Sequence, residues 1–267
     1  MSKAVDETAA HKAALFGEPI QQYGLSLWGI SMRQYEEWAK CKKVWLSRQS
    51  TFPVFCISLP FLNALFALDM DAIQRTGNPV GLMYTIMYGL GLALRLGEDC
   101  VRDGKIYLSV NEQEEKLNSI VVLQNGVKTE ITPGMFKNLR KTILWMQGDT
   151  LPDETLNDEL LETSAILAER NTPPLKYSLL DLEASVALAS GVRTKDVVEW
   201  SILEFETMKR AIDRSKRHMI CGIGATNGCS WEGGNPYPSW CFDKEETKSS
   251  ALIAQSQFGK SKKSKKE

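Results

Sequence analysis

Between Cys221 and Phe242 the chain reads CGIGATNGCSWEGGNPYPSWCF, and this block limits what the end of the chain can be. Its glycines and prolines favour turns, its tryptophans and its tyrosine carry large apolar area, and it has almost no charge. It follows a long helical run, cannot itself continue as a helix, and reads as a docking surface rather than a solvated linker. A few rigid aromatic side chains supply most of the energy of an interface, which makes Trp231, Tyr237 and Trp240 the expected partner-binding anchors.

At 267 residues and 43% hydrophobic content the chain can bury the core of one large domain or two modest ones. Its 32 basic residues nearly balance 33 acidic ones, which argues against a dedicated nucleic-acid binder, since phosphate recognition needs a net basic face. Six cysteines (41, 56, 100, 221, 229 and 241) lie without dense pairing behind a start, MSKAVDETAAHKAA, that has no apolar signal-peptide core. Reduced thiols and a cytoplasmic setting are expected. The most apolar window, Pro79 to Leu96, is interrupted by glycines and an arginine and is short for a span, so it reads as a buried helix with no membrane role.

The patterning predicts a mainly α fold with a small antiparallel β element, an α+β class. Residues 1–24 are small, polar and weakly patterned, and read as a flexible N-terminal arm. Residues 25–130 form an α+β domain, 131–220 a helical domain, 221–243 the closing segment, and 244–267 a disordered tail ending in GKSKKSKKE, with five lysines. Within the first domain, Ser31 caps a helix running to about Ser47, with Tyr35, Trp38 and Trp45 near helical spacing. TFPVFCISL, Thr51 to Leu59, has the content of a buried strand, pushed by Pro53 toward an edge or a strand start. Helix follows from about Pro60, breaks at Gly77-Asn78-Pro79 and resumes to Leu96. The period then shortens toward two in KIYLSV, LNSIVVL and VKTEI, and Asn125-Gly126 between the last two is a hairpin signal. Thr132-Pro133 opens a helix with Phe136, Leu139, Ile143, Leu144 and Met146 on one face, stopped by Gly148. Further helices are expected over 159–170, ahead of Pro173-Pro174, and over Ser178 to Ser190 and Thr194 to Ser215, meeting at Gly191.

Chemistry is sparse. His218, Cys221, Cys229 and Cys241 are candidate zinc ligands, but only His-x2-Cys has a ligand-pair spacing, and no Cys-x2-Cys turn is present. The competing reading packs these cysteines as small apolar side chains under Trp231 and Trp240. With His11 in the arm, a nucleophilic triad would have to use His218. Asp69/Asp71 and Glu98/Asp99 read as solvated ends of apolar helices. Gly222-Ile223-Gly224 follows a helix rather than a strand, the wrong context for a dinucleotide site. No catalytic residue, metal or cofactor is expected, and the chain is not read as an enzyme. Ala187-x3-Gly191-x5-Val197 has helix-turn-helix spacing, yet Asp196, Glu199, Glu204 and Glu206 on the second helix would repel phosphates, so a plain helix hairpin is preferred.

The order of these elements resembles a group of tailed-bacteriophage proteins from the tail module. The similarity runs over roughly residues 25–242: the Pro-containing TFPVFCISLPF, the helix TPGMFKNLRKTILWMQG, the helix pair from Leu182 to Ile212, and the closure from Gly233 to Trp240. The cysteines of the closure and the lysine-rich tail depart from the group's pattern. The resemblance implies a non-enzymatic tail-assembly factor, chaperone-like, that acts in the host cytoplasm on other phage tail proteins, the tape measure protein among them. Two alternatives accompany it: a structural virion component of neck, tail or baseplate, and a nucleic-acid-associated regulator built on the helix-turn-helix-like unit. Self-association through the aromatic closure is equally compatible with the sequence.

Overall fold

The computed structural model describes residues 5–111, 116–155, 178–231 and 235–241. Its fold is mainly α with two small antiparallel sheets. The expected helix over 159–170, the Pro173-Pro174 break and the lysine-rich 244–267 tail lie outside the described residues.

The N-terminal residues do not form an arm. Asp6 accepts the Ala9 amide at 2.6 Å and starts α1 (Glu7–Leu15), whose Ala10, Ala13 and Ala14 are buried on one face. Alanine carries no strong hydropathy signal, but its small side chain permits close helix packing, and α1 lies against a later helix, α6. The chain then forms a tight hairpin of β1 (Ile20–Gln22) and β2 (Leu25–Leu27) across Tyr23-Gly24. A short 3-10 turn, Met32–Gln34, leads into α2 (Tyr35–Trp45), which buries Trp38, Cys41 and Trp45.

Thr51 to Leu59 is not a strand. It holds a 3-10 turn, Gln49–Thr51, and one turn of helix, α3 (Val54–Ile57). Pro53, at φ −53°, sets the helix start, and the Gln49 side-chain amide donates to the carbonyls of Cys56 (3.3 Å), Ile57 (3.0 Å) and Leu59, drawing the segment into a compact loop. Val54, Phe55 and Ile57 consequently point outward rather than into a core.

α4 (Phe61–Thr76) ends at Gly77, and α5 (Leu82–Ala93) is the buried apolar helix expected from its sequence. Among the described residues no helix is long and apolar enough to cross a membrane. Asp69, expected at a solvated helix end, is buried on α4 and caps the neighbouring helix. Its Oδ1 accepts the amides of Gly81 (2.9 Å) and Leu82 (3.1 Å), and its Oδ2 that of Met83 (2.8 Å), satisfying α5's first donors. Farther along α5, a Cβ on Gly89 would stand 2.4 Å from Trp45 Nε1, so only glycine lets the indole of α2 lie against this helix.

The three expected strands form one antiparallel sheet in the order β3 (Ile106–Asn111), β4 (Lys116–Gln124), β5 (Val127–Ile131). Asn125 and Gly126, at φ 53° and 79°, have the two positive values of a type I′ turn. Gln124 at the end of β4 accepts from the Ser26 amide and donates to the carbonyls of Ser26 and Leu94, linking β2, the end of α5 and the larger sheet. Thr132 caps α6 (Pro133–Met146), which buries all five expected apolar residues.

Ser178 and Asp181 form a reciprocal capping box at the start of α7 (Leu179–Ser190). The expected helix from Thr194 to Ser215 is interrupted: one turn, α8 (Thr194–Val197), is followed by an extended stretch and then by α9 (Ile202–Thr226). The interruption exists because Met32 and Arg33 donate to Trp200 and Val198, and Ile202 donates to Ile30, a strand-like pairing around Ser31 and Ser201. α9 also continues through Cys221–Thr226, inside the block expected to be non-helical, and the helical signal stops only at Asn227-Gly228. Two glycines cost a helix roughly 1 kcal/mol each, too little to end 25 residues of it.

The chain divides into two compact units, 1–206 and 207–267, rather than at 130 and 220. A boundary at 130 fails because α6 packs on α1 and α4 of the preceding segment.

Two substitutions test this architecture by urea denaturation of the full chain. Asp69→Ala leaves three amides without their acceptor and should lower stability by about 2–3 kcal/mol. Gly89→Ala, which drives a methyl into Trp45, should cost about 1–3 kcal/mol. Removal of residues 1–20 should lower the midpoint through loss of the area that α1 buries on α6, and an unchanged midpoint would show that α1 contributes nothing to the core.

Candidate functional site

Unit 1–206 carries a cleft of about 520 Å³ between the Gln49–Thr51 turn, the start of α4, the start of α6 and the chain after α6. Phe61 lines it and belongs to an aromatic stack. Phe61 lies parallel to Phe136 at 6.4 Å with a 3° interplanar angle, and Phe52 stacks on Phe61 at 6.1 Å. Arg140 covers Phe61, its guanidinium carbon 3.6 Å from the ring centre.

Arg140 is 6% exposed. It donates from Nε to the Trp45 carbonyl (2.8 Å) and from one Nη to that of Ser47 (2.9 Å), neutralising the carbonyl end of α2. Burial pulls Arg140 down from the usual arginine range to about 10, with the Glu154 charge acting against the fall, so it stays cationic at neutral pH. Among the described residues, these two bonds are its hydrogen bonds, and its other Nη has no protein partner.

Glu154 lies across the cleft with both oxygens engaged: Oε1 accepts the Gln49 amide at 3.0 Å and Oε2 the Ser50 amide at 2.9 Å. Partial burial raises its carboxyl, but the Ser50 and Gln49 donors and the Arg140 charge outweigh this and hold it below the usual carboxylate range. Lys137, one turn before Arg140 on the same face of α6, has no hydrogen bond or ion pair among the described residues. The cleft therefore has apolar walls, one carboxylate already satisfied, and two cationic groups free to meet a ligand. Nothing in the composition marked it, because its residues come from four separated segments; the TPGMFKNLR string carried one of these, with Pro133, Gly134, Lys137 and Arg140, read only as helix.

In unit 207–267 the closing segment runs back along α9. Trp231 lies against Gly224, where a Cβ would stand 3.3 Å from Trp231 Cζ2. Tyr237 takes a hydrogen bond from Arg217, has that guanidinium 5.4 Å above its ring, and its carbonyl meets His218 Nδ1 at 2.8 Å. Arg214 donates to the Cys241 carbonyl at 3.1 Å. Partners fall from 224 to 214 as the segment rises from 231 to 241, an antiparallel return. Of the three expected anchors, Tyr237 and Trp231 are thus largely used to hold the segment on its own helix, while Trp240 is 65% exposed. On α9, Met219, Ile220 and Ile223 share a helical face and are 64%, 67% and 57% exposed.

The zinc candidates are not brought together: Cys221 is buried, Cys229 and Cys241 are exposed, and among the described residues no three His, Cys, Asp or Glu groups are placed to hold a metal. The two exposed thiols do not pack under tryptophans as the competing reading had it. His11 stands 3.9 Å from Glu7 on α1, far in sequence from His218, which is tied to the Tyr237 carbonyl. α8, at four residues, is too short for the recognition helix of a helix-turn-helix. Desolvation pushes the thiols of Cys41, to about 11, Cys56 and Cys100 up, and this disfavours the nucleophilic thiolate at those three. Comparison with protein families, with curated proteins and with solved structures finds no match.

The two kinds of aromatic position predict different responses in thermal melts of the full chain. Trp240→Ala should leave the melting temperature nearly unchanged, because an exposed side chain forfeits little packing. Tyr237→Ala should release the closing segment, seen as increased proteolytic cleavage between 229 and 241. Equal effects of both would mean that Trp240 is part of the segment's own packing.

Proposed function

We propose that this protein is a non-enzymatic assembly factor of a tailed-bacteriophage tail module, which holds an apolar, long helical tail component, such as the tape measure protein, in the host cytoplasm until assembly displaces it. The observation that carries this reading is the unpartnered apolar face of α9, Met219, Ile220 and Ile223, together with exposed Trp240. Solvent-facing large apolar groups grouped on one helix face mark contact surfaces in soluble proteins. Such a face pairs with the apolar stripe of an amphipathic helix through positions three and four apart. The phage assignment itself is supported by the sequence resemblance over Leu182 to Ile212 and Gly233 to Trp240.

Co-expression of the full chain with the tape measure protein of the same genome tests the reading. Soluble co-elution of the two on size exclusion is expected, and the chain should be missing from purified particles. Trp240→Ala combined with Ile220→Asp should weaken the complex by about 2 kcal/mol or more, roughly 30-fold, without altering the fold. Failure of the two to co-elute, with the tape measure protein equally insoluble in either case, would overturn the proposal. Stoichiometric presence in particles would instead establish a virion component.

A further inference from the structure

We propose that the cleft of unit 1–206 is a second, separate binding site that takes an acidic, apolar peptide segment, with a side-chain carboxylate seated between Lys137 and Arg140 and an adjoining aliphatic or aromatic side chain against Ile57, Phe61 and Leu151. Three observations converge on this. Arg140 is more than nine-tenths buried, lines the cleft, and keeps one Nη without a protein partner among the described residues. That nitrogen is not one of the fully enclosed polar atoms left without a partner, so a ligand can reach it, and a carboxylate accepts from arginine with matched geometry. Lys137 adds a second open cation on the same face, and Pro133 and Gly134 bring the positive end of α6 to the same rim.

The only carboxylate lining the cleft among the described residues does not cancel this field toward a ligand. Both Glu154 oxygens accept backbone amides of Gln49 and Ser50, so that charge is committed to the turn. A basic ligand would face two cations at the α6 wall; an acidic one would find them open.

The apolar part of the surface distinguishes a peptide from a small anion. Phe61, Ile57, Pro60, Pro133, Leu151 and Pro152 wall the cleft, and inorganic phosphate would leave them bare. The volume, about 520 Å³, falls within the roughly 300–1,000 Å³ of ligand pockets. Ile57 at the cleft is 47% exposed, and Phe55 and Val54 on the same short helix are 50% and 86% exposed. Exposed apolar side chains so near a lining residue in sequence suit a chain that extends past its anchoring residue, whereas a compact metabolite would end at the rim.

The cleft belongs to unit 1–206 and the α9 face to unit 207–267, so either assignment can fail alone. A random 12-residue peptide library displayed on phage, selected against the full chain, provides the test. Enrichment of sequences that place Asp or Glu within two positions of Leu, Ile, Phe or Trp is expected. A synthetic peptide of the enriched sequence should lose at least tenfold in affinity when its acid is changed to Asn or Gln, by fluorescence anisotropy. Lys137→Glu and Ile57→Asp, both at exposed positions, should each weaken that peptide at least tenfold with unchanged circular dichroism and melting temperature, while Lys137→Arg retains binding. Trp240→Ala should leave this binding intact. Enrichment without acidic bias, equal binding to Lys137→Glu, displacement of the peptide by millimolar inorganic phosphate alone with no effect of Ile57→Asp, or no enrichment at all would overturn the proposal.

Discussion

Three segments distant in sequence converge on the guanidinium of Arg140: the end of α2 through the Trp45 and Ser47 carbonyls, the start of α4 through the Phe61 ring, and α6 that bears it. A cation taken this far out of water costs several kcal/mol unless its donors are met, and here two main-chain carbonyls and an aromatic face share that role. The carbonyls belong to the negative end of a helix, where a positive charge is favoured by the peptide dipoles as well as by the bonds themselves. The rest of the unit is arranged around the consequence. With α2 fixed to α6, Trp45 meets Phe136 at 5.7 Å and Trp38 at 5.6 Å, and the Trp45 indole presses on Gly89 of α5. One polar residue thereby sets the positions of four helices, and the mouth of the cleft is what remains where its third nitrogen is left open.

The same device recurs elsewhere with neutral or acidic side chains. Asp69 caps a helix that follows its own, Gln124 substitutes for sheet bonds between β2, β4 and the end of α5, and Gln147 accepts the buried Ile30 amide at 3.1 Å. Each is a side chain satisfying backbone groups far away in sequence, where a larger sheet would have satisfied them with other backbone. Two small sheets cannot do this for a chain of so many helices and loops, and buried main-chain donors must be met somewhere. The polar core residues are thus a requirement of the α+β arrangement.

This explains what could be seen in the residues and what could not. Local signals carried through: Asn125-Gly126, Thr132-Pro133, Gly77, Gly191 and the alternation of LNSIVVL all act within a few positions, and each stands where it was expected. Where a distant partner decided the outcome, the reading failed. Residues Thr51 to Leu59 have strand content, but no strand lies beside them, and Gln49 folds them into a turn of helix instead. The alanines of α1 carry little hydropathy, and their burial depends on α6. The break at Val198 to Ser201 is imposed by the Ile30–Arg33 segment, which nothing in the local sequence announces. The closing segment was read as an aromatic docking element; in the structure two of its three expected anchors, Trp231 and Tyr237, lie on α9 of its own chain. The cleft was illegible because no window contains more than a part of it.

The distribution of polar groups bears on why contact, and not catalysis, is the proposal. Asp69, Glu154 and Asp181 accept backbone amides, Asp196 pairs with Arg193, and Asp213 with Arg217, so these carboxylates already have structural partners. The groups left open are of another kind: Trp240 and the Met219, Ile220 and Ile223 face in one unit, and in the other Ile57, which lines the cleft with Lys137 and an unpaired nitrogen of Arg140. Exposed apolar area gains free energy only by being covered, and an open buried cation only by meeting an acceptor. On the proposed reading the first surface takes the apolar stripe of a helix. The second needs a carboxylate next to apolar residues, so specificity at the cleft would come from charge and at α9 from shape.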